Sequence, residues 1–183
     1  MYFSWGNVDG HAVDENGNVV DGYSFDRNTY ATTSGGQYTG SELDSEHDAA
    51  TFNMGNEWRM PTVDETRELV QNTDHYYIDL SGNTVSKSEL SVSKKLRSIC
   101  FVKKGEEFVY DNRSNFIEIP LAGECFGSVL GIEGLYGYVW SSSVHESDAE
   151  IARGLYFASH GYIDGGENFS PFVGYSVRGV KNN

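Results

Sequence analysis

The side chains of this chain with the chemistry for metal binding, nucleophilic attack or proton transfer are five histidines, two cysteines, a serine run and an acidic opening stretch. His11, His47, His75, His145 and His160 stand singly, without the spacing that sets two imidazoles on one helix face around a metal. Ser141, Ser142 and Ser143 follow Trp140, but no glycines flank them as in a nucleophile elbow, and no acid and histidine stand in a recognisable order around them. They read as a strand end and turn. Cys100 and Cys125 lack the close paired spacing of a zinc site and fall in or near apolar strand runs, where a free cysteine behaves as a small buried hydrophobe, a reactive or cross-linked pair being the lesser reading. Asp9, Asp14, Glu15, Asp21 and Asp26 offer oxygen ligands for calcium (Ca2+), yet the spacing of the helix-loop-helix calcium loop is missing, which favours a solvated acidic loop. No other cofactor is expected.

A second group differs in kind. Tyr156, His160, Tyr162, Asp164, Asn168, Phe169, Ser170 and Phe172 sit among glycines in a near-patternless stretch between two well-patterned ones. Tyrosine and phenylalanine give large contact area at small entropic cost, and Ser, Asn and Gly supply adaptable hydrogen bonds, the composition of a paratope. A loosely packed surface loop fits the same composition, and both readings stay open at this level. Between residues 156 and 175 the charged side chains are Asp164 and Glu167, so a binding face there is expected to be nearly neutral and aromatic.

The 183 residues fit a single domain, 1–183, long enough to bury a substantial core. With 13 Lys and Arg against 27 Asp and Glu, the net charge of −14 repels phosphate backbones and anionic headgroups, which argues against nucleic-acid and membrane-surface roles. No run is long and apolar enough for membrane insertion, and the first residues lack the basic start and apolar core of a signal peptide. The chain opens directly on strand-like aromatic sequence, as the C-terminal domain of a longer protein would. Twelve Tyr, 10 Phe and 21 Gly beside 3 Pro describe a turn-dense, strand-rich chain.

Residues 6–40 read as ordered polar loop, with turns at Asn16-Gly17 and Asp21-Gly22 and a hairpin over residues 19–25. Asp44 or Ser45 is placed to cap a helix over residues 46–54, with Asp48 in its first turn, Gly55 ending it, and Ala49, Ala50 and Met54 as its buried face. Thr62 and Glu65 have capping-box spacing for a second helix carrying Val63, Thr66, Leu69 and Val70. Residues 74–95 show no period and read as a solvated excursion. Strand patterns follow at Ile99 to Val102, Phe116 to Ile119, Tyr138 to Trp140, and residues 153–159, where Leu155 and Phe157 alternate with Gly154, Tyr156 and Ala158. Val173, Tyr175 and Val177 repeat that alternation in a last strand. Two early helices and a strand-rich second half predict an α+β domain with one mixed or antiparallel sheet.

Six separate motifs, in order along nearly the whole chain, resemble one family. They are Tyr2-Phe3-Ser4-Trp5-Gly6, Leu43-Asp44-Ser45-Glu46-His47-Asp48-Ala49-Ala50, Trp58-Arg59-Met60-Pro61-Thr62, Ile119-Pro120-Leu121-Ala122-Gly123, Tyr138-Val139-Trp140-Ser141-Ser142-Ser143 and Gly174-Tyr175-Ser176-Val177-Arg178-Gly179-Val180. The chain is similar in these to the C-type-lectin-like domains of gut Bacteroidetes (Bacteroides among them) and their bacteriophages, which share the formylglycine-generating-enzyme fold and include variable proteins of diversity-generating retroelements. The resemblance implies a C-type-lectin-like fold whose C-terminal part, about residues 144–175, is a ligand-binding face. Trp140, Arg153, Leu155, Phe157 and residues 176–180 match framework. His145, Asp148, Gly154, Tyr156, Ala158, His160 and residues 162–173 fall where variation is expected. Adenine mutation of an asparagine codon ending in a pyrimidine cannot give Lys, Glu, Gln, Met or Trp, and from 156 to 175 only Glu167 belongs to that set.

The function so implied is a non-catalytic receptor-binding or adhesion module on a phage tail or bacterial cell surface, engaging a protein or glycan ligand. Two alternatives remain: a formylglycine-generating-type oxidase working through a reactive cysteine pair, which the resembling fold includes, and a structural module of a surface fibre whose variable-looking face is merely solvent-exposed.

Overall fold

The computed structural model describes residues 1–33 and 40–182; the 34–39 part of the polar opening segment lies outside the described residues. In the first half, short polar side chains decide where helices begin. The Asp26 carboxylate accepts the backbone N–H groups of Asn28 and Thr29, both at 2.9 Å, and starts α1, Arg27–Thr33, a helix without apolar period and therefore not expected from sequence. Asp48, not Asp44 or Ser45, caps α2, Ala49–Met54. One Asp48 oxygen accepts from Thr51 N and the other from Met60 N, each at 2.8 Å, so one buried carboxylate satisfies the helix start and the strand that follows it. Asp44 instead closes a preceding turn by accepting from the N–H groups of Glu46 and His47. Ala49 and Ala50 are buried as expected, whereas Met54 is 49% exposed.

Strand β1, Trp58–Arg59, leads into α3, Val63–Asn72, whose Thr62 and Glu65 form both bonds of the capping box. Arg59 grips the Glu65 carboxylate with two nitrogens at 2.6 and 2.5 Å. That bidentate bond, joined by the Thr62 N–H, draws Glu65 down to about 2. The expected excursion over 74–95 is instead a sheet component: β2 (Thr73–Asp79) and β3 (Thr84–Val85) bury Tyr77, Ile78 and Val85. Its aromatic and β-branched residues pair with neighbouring strands, and that long-range pairing leaves no period in the local sequence.

The remaining strands are β4 (Leu96–Lys103), β5 (Phe116–Pro120), β6 (Glu124–Phe126), β7 (Val129–Gly131), β8 (Tyr136–His145), β9 (Asp148–Ala158), β10 (Ile163–Phe169) and β11 (Val180–Lys181). They make a mixed α+β, sheet-rich fold with few short helices. The strands divide among a four-stranded sheet ordered β3-β2-β4-β5, a three-stranded sheet ordered β10-β9-β8 and the two-stranded pairs β1-β11 and β6-β7, instead of one sheet. The hairpin expected over residues 19–25 is displaced: Val13 pairs with Val19 around Asn16-Gly17, and Phe25 pairs with Gly127. The expected last strand around Tyr175 consists of single bridges, from Gly174 to Cys125, Tyr175 to Phe3 and Ser176 to Val139. It threads between other segments and never lies along one partner.

The β8-β9 pair carries two cores because successive side chains of a strand point to opposite faces. On one face Val139, Leu155 and Phe157 join Leu96, Ile99, Phe101, Ile119 and Leu121. On the other, Trp140 and Ala152 join Trp5, Met60, Phe169, Val173 and Tyr175. Burying each large apolar side chain contributes roughly 1.5–3 kcal/mol. Two indoles tie the first residues to β8: Trp5 Nε1 donates to the Ser141 oxygen at 2.8 Å, and Trp140 Nε1 donates to the Phe3 oxygen at 2.7 Å. Ser141 to Ser143 lie inside β8, where its register with β9 shifts. Ser141 Oγ donates to the Arg153 oxygen at 2.7 Å and Ser143 Oγ accepts from Val63 N at 3.0 Å, so the serine run is internal support for α3 rather than a strand end.

Strand β10 docks on α3 through two glycines at a bulge. A Cβ at Gly165 would stand 2.6 Å from both Arg67 Cα and the Thr66 oxygen, and Thr66 Oγ1 donates to the Gly165 oxygen. Backbone cannot yield there as a flexible side chain could. Gly165→Ala is accordingly expected to destabilise the domain by about 1–3 kcal/mol through overpacking, read as a lower urea midpoint with unchanged slope.

Candidate functional site

Alternation places Tyr136, Tyr138 and Trp140 of β8 on one face with Tyr156 and Ala158 of β9. Register then sets Tyr138 opposite Tyr156 and Tyr136 opposite Ala158, and β10 adds Asp164 opposite Tyr156 and Glu167 opposite Gly154. The result is a plate of rings. Tyr136 and Tyr156 are stacked at 5.9 Å between centroids. Tyr138 lies 5.3 Å from Tyr156 and Tyr162 lies 5.5 Å from it. Tyr138 also stacks on Tyr175 at 4.4 Å and 8°, and His160 meets Tyr136 edge-on at 6.4 Å. Trp140, Phe169 and Tyr175 are buried beneath this plate, while Tyr162 is 46% exposed and His160 is exposed. Each such ring pair contributes about 0.5–1.5 kcal/mol beyond burial and fixes ring orientation before any ligand arrives.

Carboxylates border the rings. Tyr175 Oη donates to Glu124 at 3.2 Å and Tyr162 Oη to Asp164 at 3.4 Å; Asp164 is itself held by the Gly166 N–H at 2.7 Å. Burial, then Tyr136 and Glu167, pushes the Tyr156 phenol up to about 12. Burial followed by Glu124 raises Tyr138 and Tyr175 likewise. These hydroxyls therefore remain protonated donors at neutral pH beside carboxylate acceptors. The nearly neutral face expected from sequence is in fact aromatic with an acidic border, because β6 brings Glu124 to it.

The structure separates the sequence-predicted site residues. Tyr156, His160, Tyr162 and Asp164 meet on the plate. Gly154, Ala158 and Phe169 are buried; a Cβ at Gly154 would lie 2.4 Å from the Val139 oxygen, so these three positions pack and offer a ligand no surface. Asn168 is exposed but pairs with Arg153, on the opposite face from Tyr156. His145 and Asp148 pair with each other at the β8-β9 turn and line a polar cavity of about 500 Å3 with Arg153. That is roughly 26 Å along the strand from Tyr156 at the usual rise per residue. Ser170 and Phe172 line another cavity, of about 320 Å3, with Arg27, Tyr30 and Glu150. Sequence reasoning missed Tyr136, Tyr138, Glu124 and Tyr175 as face residues. The Tyr136-x-Tyr138 alternation opposite Tyr156 was the available signal.

The acidic stretch has local duties. Asp14 accepts from Asn16 N and Asn18 N, Asp21 from His11 and Tyr23 N, and Asp26 from α1. Among the described residues no three His, Cys, Asp or Glu side chains converge as a metal-holding group. Cys100 and Cys125 are free and buried, and burial pushes both thiols up to about 12. Comparison with protein-family models, curated proteins and solved structures gives no match for this chain.

An alkaline titration follows from the raised phenols. An unfolded Tyr ionises near 10 and folded Tyr156 near 12, so the stability it contributes is full below pH 10 and is lost as pH rises through about 12. The thermal midpoint is expected to fall over that window, and Tyr156→Phe is expected to reduce the fall; a profile identical in the variant contradicts the burial of this hydroxyl.

Proposed function

We propose that the chain is a non-catalytic ligand-binding module of the C-type-lectin-like kind, displayed on a phage tail or bacterial cell surface, whose tyrosine plate contacts a protein or glycan target. The observation that carries this reading is the plate itself: three tyrosines on the β8-β9 strand pair and Tyr162 from the turn before β10, held ring against ring, with protonated hydroxyls and the carboxylates of Glu124, Asp164 and Glu167 at their edges. Flat aromatic faces cover the apolar faces of sugar rings or of a partner's side chains, and the donors and acceptors around them fix orientation. Such rings lose little entropy on binding because their orientation is already set by neighbours. The six framework motifs support the same reading, since Trp5, Trp140, Met60 and Tyr175 among them build the support beneath the plate. The thiols favour binding over oxidase chemistry: a cysteine nucleophile acts as its thiolate, and both thiols here are buried and raised to about 12.

The test is a binding screen of the purified domain against glycans and surface proteins of gut bacteria, followed by Tyr156→Ala with Tyr162→Ala. The double variant is expected to lose at least about tenfold in affinity, the scale of a binding hot spot, with little change in urea midpoint from Tyr162. Unchanged affinity in a folded double variant would remove the plate as the binding face.

A further inference from the structure

A further recess lies on the other side of the β8-β9 pair, under α3. Its volume is about 690 Å3 and its lining includes Leu69, Ile117, Ile119, Val139 and Leu155, within the range of roughly 300–1,000 Å3 that holds small organic ligands. Val139 and Leu155 form its floor from the face opposite Tyr138 and Tyr156, so this recess is independent of the tyrosine plate. Ile117 stands at the mouth, 38% exposed although it shares a strand face with buried Ile119. β5 is the edge strand of its sheet, which leaves that mouth open.

The mouth is cationic in a chain of net charge −14. Lys103, Lys104 and Arg178 line it. Arg178 spends one guanidinium N–H on the main-chain oxygen of Glu118 at 3.0 Å, a neutral acceptor. Lys103 reaches Glu106 only at 3.9 Å in an exposed pair, which holds it weakly. Of the two acids along the same wall, Glu65 is already paired with Arg59 at 2.5 Å, while Glu68 of α3 lines the recess without an ion pair among the described residues. An apolar interior with a guanidinium and two ammonium groups at its opening suits an amphiphile with a hydrocarbon chain and an anionic head, and a carboxylate head meets a guanidinium through two parallel hydrogen bonds.

We propose that this recess binds a free medium-chain fatty acid, its chain along Leu69, Ile119, Val139 and Leu155 and its carboxylate at Arg178 with Lys103 and Lys104 alongside. Calorimetry with octanoate, decanoate and dodecanoate tests it directly. Affinity is expected to rise about fourfold for each added methylene until the recess is full, at one ligand per chain. Arg178→Gln and the pair Lys103→Glu with Lys104→Glu are each expected to weaken dodecanoate by about tenfold or more while leaving dodecanol little changed. Ile117→Trp, at an exposed strand position, is expected to close the mouth and abolish binding of both without altering the circular dichroism spectrum. The proposal is overturned if dodecanoate does not bind the folded chain, or if binding survives Ile117→Trp. It is equally overturned if the charge variants leave dodecanoate unaffected, if only anionic phospholipid vesicles bind, or if a second copy of the chain is found to fill the recess at the expense of dodecanoate.

Discussion

The two-residue period of a β-strand is the constraint on which the rest of this structure depends. β8 and β9 are paired over most of their length, and each must satisfy two environments at once: an aliphatic core on the side of Val139, Leu155 and Phe157, and an aromatic one on the side of Trp140 and Tyr175. A slip of one residue in either strand would exchange every side chain between the two. Gly137 and Gly154 show how tightly register is held. A Cβ at Gly137 would sit 2.1 Å from the Phe157 ring, and one at Gly154 would sit 2.4 Å from the Val139 oxygen. Only in this register do both glycines meet the groups that need their space.

Because the faces are segregated, the two candidate binding regions are segregated too. The plate of Tyr136, Tyr138, Tyr156 and Tyr162 is an outcrop of the aromatic core, and its rings are rigid because that core continues beneath them. The recess under α3 is a gap in the aliphatic core, bounded by the helix that the Thr62 and Glu65 capping box starts and that Gly165 holds against β10. Charge follows the same division. Carboxylates from β6 and β10 edge the plate, while Lys103, Lys104 and Arg178 gather at the recess.

The sequence disclosed what local chemistry determines and concealed what distant pairing determines. The α3 capping box, the alternation of Leu155 and Phe157 against Tyr156, and the burial of Ala49, Ala50, Cys100 and Cys125 were legible because each rests on spacing within a few residues. The cap of α2 was misplaced because Asp44 and Asp48 both suit a helix start, and only the second also reaches Met60 N across twelve residues of chain. β2 escaped notice because Tyr77 and Ile78 lie between β3 and β4, and the longer of those two pairings, with β4, comes from some twenty residues further along the chain. In the same way, Tyr156, Tyr162 and Asp164 could be singled out from a polar and aromatic stretch, whereas Glu124 comes to the plate through the long-range bridge of Cys125 to Gly174, and Tyr136 through its register with Ala158. Half of that stretch proved to be scaffold, since Gly165, Phe169 and Val173 are buried within it.

The stacking beneath the plate also has an optical side. Trp140 lies 4.6 Å from Tyr175, which stacks at 4.4 Å on Tyr138, which in turn lies 5.3 Å from Tyr156. Excitation absorbed by any of these phenols passes down the row to the indole, whose emission lies at lower energy. The surface of the plate is thus wired to indoles buried beneath it, Trp140 at the end of the row and Trp5 in the same core, and a molecule settling on the tyrosines would change the light that leaves them without ever touching them.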